Sequence, residues 1–154
     1  MDNIRKAVVQ DASRLAEILI FTKRINYRRI FRDDRVSFGE MQVYPLAQDY
    51  ITNPEKLENI WVYDDEFVKG MLHVEGRKLT ELYVDSFFQN EGIGARLMEF
   101  AIQTFDIQSL FVLEKNSSAI RFYKRHGFSL TKERRLEEGT TQYIVKMERK
   151  TGIL

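Results

Sequence analysis

The sequence predicts a single α/β domain spanning residues 1–154, built on a mixed, mostly antiparallel central sheet of about six to seven strands flanked by helices. Three observations predict it. "NIWVYDD", "EFVKGMLHVEG" and "RKLTELYVD" follow one another as β-rich runs with turns near Asp64–Glu66 and Gly76–Arg77, the pattern of an antiparallel meander. "SLFVLEK" is an apolar strand with a helical pattern on either side, so it should lie parallel to its neighbour. Two further strand-like runs, near "FSLTKE" and "TQYIVKMERK", finish the chain.

The elements follow in order. "IRKAVV" (4–9) has the length and β-branched content of a short strand. Asp11 then stands at an N-cap position, where its carboxylate can accept from the free amides of the turn after it. Leu15, Ile18, Leu19 and Thr22 recur at helical spacing, predicting a helix over about 11–23. "KRINYRRIFRDDR" (23–35) is rich in arginine and interleaved with Ile25, Tyr27, Ile30 and Phe31; it continues that helix or forms a second short one. Pro45 and Pro54 mark helix starts or loop corners. After the meander a helix is expected over about 93–105, with Arg96, Glu99 and Gln103 on one face and Ile93, Leu97, Ala101 and Phe105 on another. A helix over 117–126 ends at Gly127, a natural left-handed cap. No repeat, low-complexity segment or linker divides the chain.

Composition removes several classes of function. The net charge is +1, which gives no global attraction to nucleic acid or an anionic membrane. There is no cysteine, so disulfide frameworks, thiolate metal sites and cysteine nucleophiles are excluded. His73 and His126 are too few and too far apart to suggest a metal centre, and none is expected. The first ten residues lack the apolar core of a signal peptide, and no apolar run approaches the ~20 residues of a membrane span. The expectation is a cytoplasmic protein with neither a membrane nor a nucleic acid as partner.

The stretch "QNEGIGARL" (89–97) sets two glycines between a strand and a helix start. Backbone amides at such a helix end are unpaired and carry about +0.5 charge, which suits an anion and usually a phosphate. The plainer reading is that Gly92 and Gly94 only turn the chain. The dinucleotide fingerprint is excluded because Leu97 stands where its third glycine or alanine belongs, and no Gly-Lys-Ser/Thr triplet marks a nucleotide triphosphate loop.

The pattern Q-x-x-G-x-G after "LYVDSFF" resembles the acetyl-coenzyme A signature of the Gcn5-related N-acetyltransferases. "LFVLEKNSSAIRFYKRHGF" is similar to that family's second block, a strand, an Asn, a helix with Tyr and then Gly-Phe. The two blocks stand in the family's order over about 79–128. The resemblance implies a parallel strand pair splayed at the cofactor site and acetyl-CoA as acetyl donor. The amides of Asn90, Glu91, Gly92, Ile93, Gly94 and Ala95 would cradle the pyrophosphate, with Gln89, the first residue of the motif, also at the cofactor. The main chain of Leu82, Tyr83 and Val84 would pair with the pantetheine arm, and Asn116 would bind pantetheine or cap the following helix. Tyr123 matches a tyrosine whose hydroxyl faces the thioester sulfur, against the alternative of a core tyrosine. A phenol, with reference pKa near 10, can protonate or hydrogen-bond a thiolate whose reference is near 8.5.

The general base departs from the family pattern. Family members carry Glu or His four or six residues before the valine matched by Val84, where this chain has Thr80 and Lys78. Glu81 is adjacent, but strand alternation would turn it to the opposite face. It either binds or deprotonates the acceptor amine or is a solvated strand residue, with a water chain as substitute base. The expected function is N-acetyl transfer to a primary amine of an unidentified acceptor by direct attack in a ternary complex. Absence of a matched base keeps a non-catalytic acetyl-CoA sensor as the alternative. The arginine-rich 23–35 segment is read as a solvated face, a wall of the acceptor site or, least, a nucleic-acid stripe. Tyr27, Phe31, Phe38, Tyr44 and Trp61 are read as core or as an aromatic acceptor pocket. A homodimer is a further state that the resemblance implies.

Overall fold

Apolar side chains alternate across the middle strands, and this fixes which elements cover each side of the sheet. The computed structural model describes residues 3–31, 38–39 and 41–150. Its strands are β1 (Ile4–Lys6), β2 (Ile60–Asp65), β3 (Phe67–Glu75), β4 (Lys78–Val84), β5 (Ser109–Leu113), β6 (Phe128–Leu136) and β7 (Tyr143–Arg149). They form one sheet in the order β1-β2-β3-β4-β5-β7-β6. Every neighbouring pair is antiparallel except β4 and β5. The helices are α1 (Ala12–Phe31), α2 (Val43–Thr52), α3 (Ile93–Phe105) and α4 (Ser117–Arg125). No described helix is long and apolar enough to cross a membrane.

Two apolar clusters sandwich the sheet. On one face Leu15, Ile18 and Leu19 of α1 pack with Tyr50 of α2 and with Val62 and Met71. On the other, Leu97, Met98 and Ala101 of α3 pack with Leu72, Val74, Leu110 and Met147. The α3 register places Ile93, Leu97 and Ala101 inward and leaves Arg96, Glu99 and Gln103 exposed, as its periodicity predicts. The N-terminal end of α3 lies tightly on β3 at Gly70, where an added Cβ would stand 3.1 Å from Leu97, 3.2 Å from Ile93 and 3.2 Å from the Tyr83 carbonyl oxygen. A side chain there would force these neighbours back by a few tenths of an ångström.

Three expectations shift. The first strand stops at Lys6, and Val9–Asp11 form a 3-10 turn. The first helix does not end near residue 23 but continues to Phe31, so the arginine-rich run is its tail as far as that residue; 32–35 lie outside the described residues. Asp11 does not cap α1. Its carboxylate reaches back, accepting from the Val8 amide at 2.8 Å and from both terminal nitrogens of Arg5 at 2.9 Å. The bidentate guanidinium pair outcompetes a helix cap because both of its hydrogen bonds are charge-assisted. Arg5 also donates from Nε to Asp64 at 3.0 Å, which ties β1, β2 and the start of α1 together.

Burial alone would raise the Asp11 carboxyl, but the hydrogen bonds from Arg5 and the Val8 amide outweigh it and hold the group below its ordinary value. A carboxyl depressed in the folded state stabilises the fold above its unfolded pKa of about 3.9, and the contribution is lost as pH falls through the folded value. Asp11→Asn is therefore expected to lower stability at neutral pH by about 1–3 kcal/mol. It should also flatten the fall in stability below about pH 4. Urea titrations at several pH values check this; equal acid dependence in both proteins would contradict it.

Candidate functional site

The site begins with an extra residue in β4. Leu72 pairs with Leu82 and His73 with Glu81, yet Val74 pairs with Leu79, so Thr80 is a bulge on the β4 side. The bulge advances the alternation by one. Leu79, Leu82 and Val84 consequently pack with the α3 cluster, while Tyr83 packs with the α1 cluster. Glu81 shares the α1 side, where it meets Lys23. Alternation holds from Val84 back to Glu81, so Glu81 does face away from Leu82 and Val84 as expected, and from the α1 side it still lines the cavity.

Beyond the bulge β4 leaves its parallel neighbour. Only Lys78↔Ser109 and Leu79↔Leu110 pair, whereas β5 stays paired with β7 along its whole length. Leu82–Val84 thus present a strand edge that β5 does not cover. The wedge opens into a cavity of about 760 Å³ whose walls come from α1, β4, the 89–95 loop, β5, α4 and the β6–β7 hairpin.

At one end of that cavity lies the glycine turn. Gly92 (φ 83°) and Asn90 (φ 66°) take left-handed conformations, which bend the chain so that successive amides face inward. Gly92 is the N-cap of α3 and supplies no side chain to it. Among the described residues no protein group accepts from the amides of Asn90 to Ala95; the first amide with a partner is Arg96, bonded to the Gly92 carbonyl at 3.1 Å. A Cβ on Gly94 would project towards Phe122 at 3.6 Å and Val84 at 3.7 Å, narrowing the space next to these amides. Free amides, a helix N-terminus and open space together make an anion cradle.

The opposite wall carries the ionisable groups. Glu81 Oε1 lies 3.4 Å from His73 Nδ1 and Oε2 lies 3.7 Å from Lys23 Nζ. Burial pushes the Tyr123 phenol up to about 12. Burial, then the Glu137 and Glu81 charges, push Tyr27 up to about 12, and burial followed by the Glu81 charge raises Tyr83 well above its ordinary value. All three phenols are neutral donors at physiological pH. Asn116 caps α4, its Oδ1 accepting from the Ala119 amide at 3.2 Å, and also lines the cavity. Both roles left open by its sequence position are compatible with this place.

Most of the predicted residues meet in one space: Glu81, Leu82, Tyr83, Val84, Gln89, Asn90, Gly92, Ile93, Gly94, Ala95, Asn116 and Tyr123 all line the cavity. Glu91 is exposed and does not line it. Gln89 donates from Nε2 to the Val84 carbonyl at 3.2 Å, fixing the loop to the end of β4. The aromatic set divides. Tyr27 lines the cavity, Trp61 packs on Phe100 and Phe105, Tyr44 is exposed, and the Phe31 side chain lies outside what is described. Phe38 stacks under Arg24 and Arg28, so these two arginines engage the segment after α1. Sequence reasoning missed Arg125, Arg135 and Glu137 as wall residues; they lie near helix or hairpin ends, and no spacing rule sets how those ends fold over a sheet.

Comparison with known proteins gives a consistent result. Residues 56–130 match the family model described as "Acetyltransferase (GNAT) domain". The chain is 26% identical over 131 residues to the peptidyl-lysine N-acetyltransferase YjaB of Salmonella typhimurium, covering 85% of this chain and 86% of that protein. It is 32% identical over 87 residues to the peptidyl-lysine N-acetyltransferase YiaC of Escherichia coli, covering 56% of this chain and 58% of that one. The PaiA N-acetyltransferase of Thermoplasma acidophilum, solved in complex with coenzyme A, superimposes with a TM-score of 0.65 at 21% identity, covering 94% of this chain and 97% of that one; this likeness is one of fold.

Gly92→Glu is expected to abolish coenzyme A binding in calorimetry while the protein stays folded. A Cβ there meets nothing within 4 Å, so the loss would come from the charge beside the amides and from left-handed strain of about 1–2 kcal/mol. Gly92→Ala, which adds only the strain, should keep measurable binding. Unchanged affinity in the Glu variant would contradict the cradle.

Proposed function

We propose that the chain is one of the GNAT acetyltransferases, whose family model it matches over 56–130, and that it moves the acetyl group of acetyl-CoA to the side-chain amine of a peptide or protein lysine, by direct attack in a ternary complex. One observation carries the reading: the free amides of 90–95, the uncovered edge of Leu82–Val84, Glu81 and Tyr123 share a single cavity. Lysine as acceptor is supported by the names of the two relatives, both peptidyl-lysine N-acetyltransferases.

The donor supplies an activated acetyl thioester. The amides of Asn90 to Ala95 hold its pyrophosphate, and the main chain of Leu82–Val84 holds the pantetheine arm as an added strand. A backbone amide in that stretch polarises the thioester carbonyl. Glu81 takes the proton that the acceptor ammonium must lose before it can attack. Tyr123, kept protonated by burial, stabilises the thiolate chiefly as a hydrogen-bond donor, because a phenol near 12 gives up its proton less readily than a thiol of reference pKa about 8.5. The remaining rate enhancement comes from holding the two reactants in line. The sensor alternative draws its force from the lack of a matched base; the place of Glu81 on the cavity wall supports the enzyme over it.

A thiol-release assay with acetyl-CoA and a panel of lysine peptides tests the proposal. Turnover of at least one lysine peptide is expected, and coenzyme binding without turnover of any amine would overturn it. Tyr123→Phe should lower kcat about 10²–10³-fold with acceptor KM little changed, a loss below threefold demoting the residue to packing. Glu81→Gln should lose about 10²-fold or more at neutral pH and recover part of it as rising pH deprotonates the acceptor in solution.

A further inference from the structure

Lys23 brings a primary amine of this chain into the cavity. Its Nζ stands 3.7 Å from Glu81 Oε2 and 5.8 Å from the centre of the Tyr27 ring, and its side chain is 25% exposed. The other carboxylate oxygen of Glu81 is turned to His73, so Lys23 takes the oxygen that an acceptor ammonium would need. Lys78 also lines the cavity, but its Nζ lies over the Phe111 ring at 5.6 Å and no ion pair joins it to Glu81. Lys115, Lys124 and Lys132 are exposed and outside the cavity.

We infer that Lys23 is a self-acetylation site, the lysine of this chain positioned to take the acetyl group when no external acceptor is bound. The inference rests on the proposed acetyl transfer through this same cavity. The Lys23 ammonium gives one proton to Glu81. The freed nitrogen attacks the acetyl carbonyl carbon; a C–N bond forms and the C–S bond breaks, its electron pair leaving on sulfur. The second proton lost by the nitrogen ends on that sulfur, and Glu81 returns its own to water. The products are an acetamide at Lys23, free coenzyme A and one released proton. The amide is neutral, so the ion pair with Glu81 is lost and that carboxylate is left free for an external ammonium.

The full chain, incubated with acetyl-CoA alone and mapped by mass spectrometry, tests this. Lys23 should gain one acetyl group at least about ten-fold faster than Lys78, Lys115, Lys124 or Lys132, as expected for an amine held at the reacting centre. The fraction modified per unit time should not change with protein concentration. Gly92→Glu should bring Lys23 down to the rate of the exposed lysines. Labelling of Lys23 no faster than theirs, while a lysine peptide is turned over in the thiol-release assay, would overturn this inference alone. Failure to bind the donor or to acetylate any amine would overturn the proposed function and this inference with it.

Discussion

The parting of two parallel strands is the constraint on which the rest depends. β4 and β5 share only two residue pairs before they separate. A strand edge inside a sheet leaves main-chain groups without partners, and such groups are stable only when water or a ligand satisfies them. Here the uncovered edge of β4 runs into the glycine turn, so its open main-chain groups lead directly to the free amides at the start of α3. The order of elements imposes this: a parallel neighbour can be reached only through a crossover, and α3 is that crossover.

The core holds the gap open. β5 cannot swing back to β4 without breaking its five-residue pairing with β7. β4 is fastened on its other side to β3, from Lys78 opposite Glu75 to Val84 opposite Gly70. Gly70 also lets α3 approach the sheet, so one small residue sets the height of the anion cradle over the strand edge. Buried Leu97, Met98 and Leu110 belong to the same apolar cluster that Leu82 and Val84 pack against, which anchors the strand edge from one face.

Much of this was legible in the sequence because it rests on local periodicity. The α3 bounds, the meander, the parallel strand and the Gly127 stop all follow from spacing and turn chemistry, and the two motif blocks led to the loop, the strand edge and Tyr123. What could not be read depends on two segments at once. The Thr80 bulge is a property of the β3–β4 register, so alternation read back from Val84 holds to Glu81 and fails at Leu79. Asp11 resembles a cap in sequence because its bidentate partner Arg5 is not a helix neighbour. Glu137 and Arg135 reach the cavity through the packing of the β6–β7 hairpin, which no pattern in their own segment encodes.

Backbone amide resonances followed by NMR during titration with coenzyme A test the central idea most directly. Main-chain groups without protein partners should be the ones that respond. The largest shifts are expected at residues 90–95 and along 82–84, saturating together. Shifts confined to other segments, with the amides of 90–95 unmoved, would contradict it.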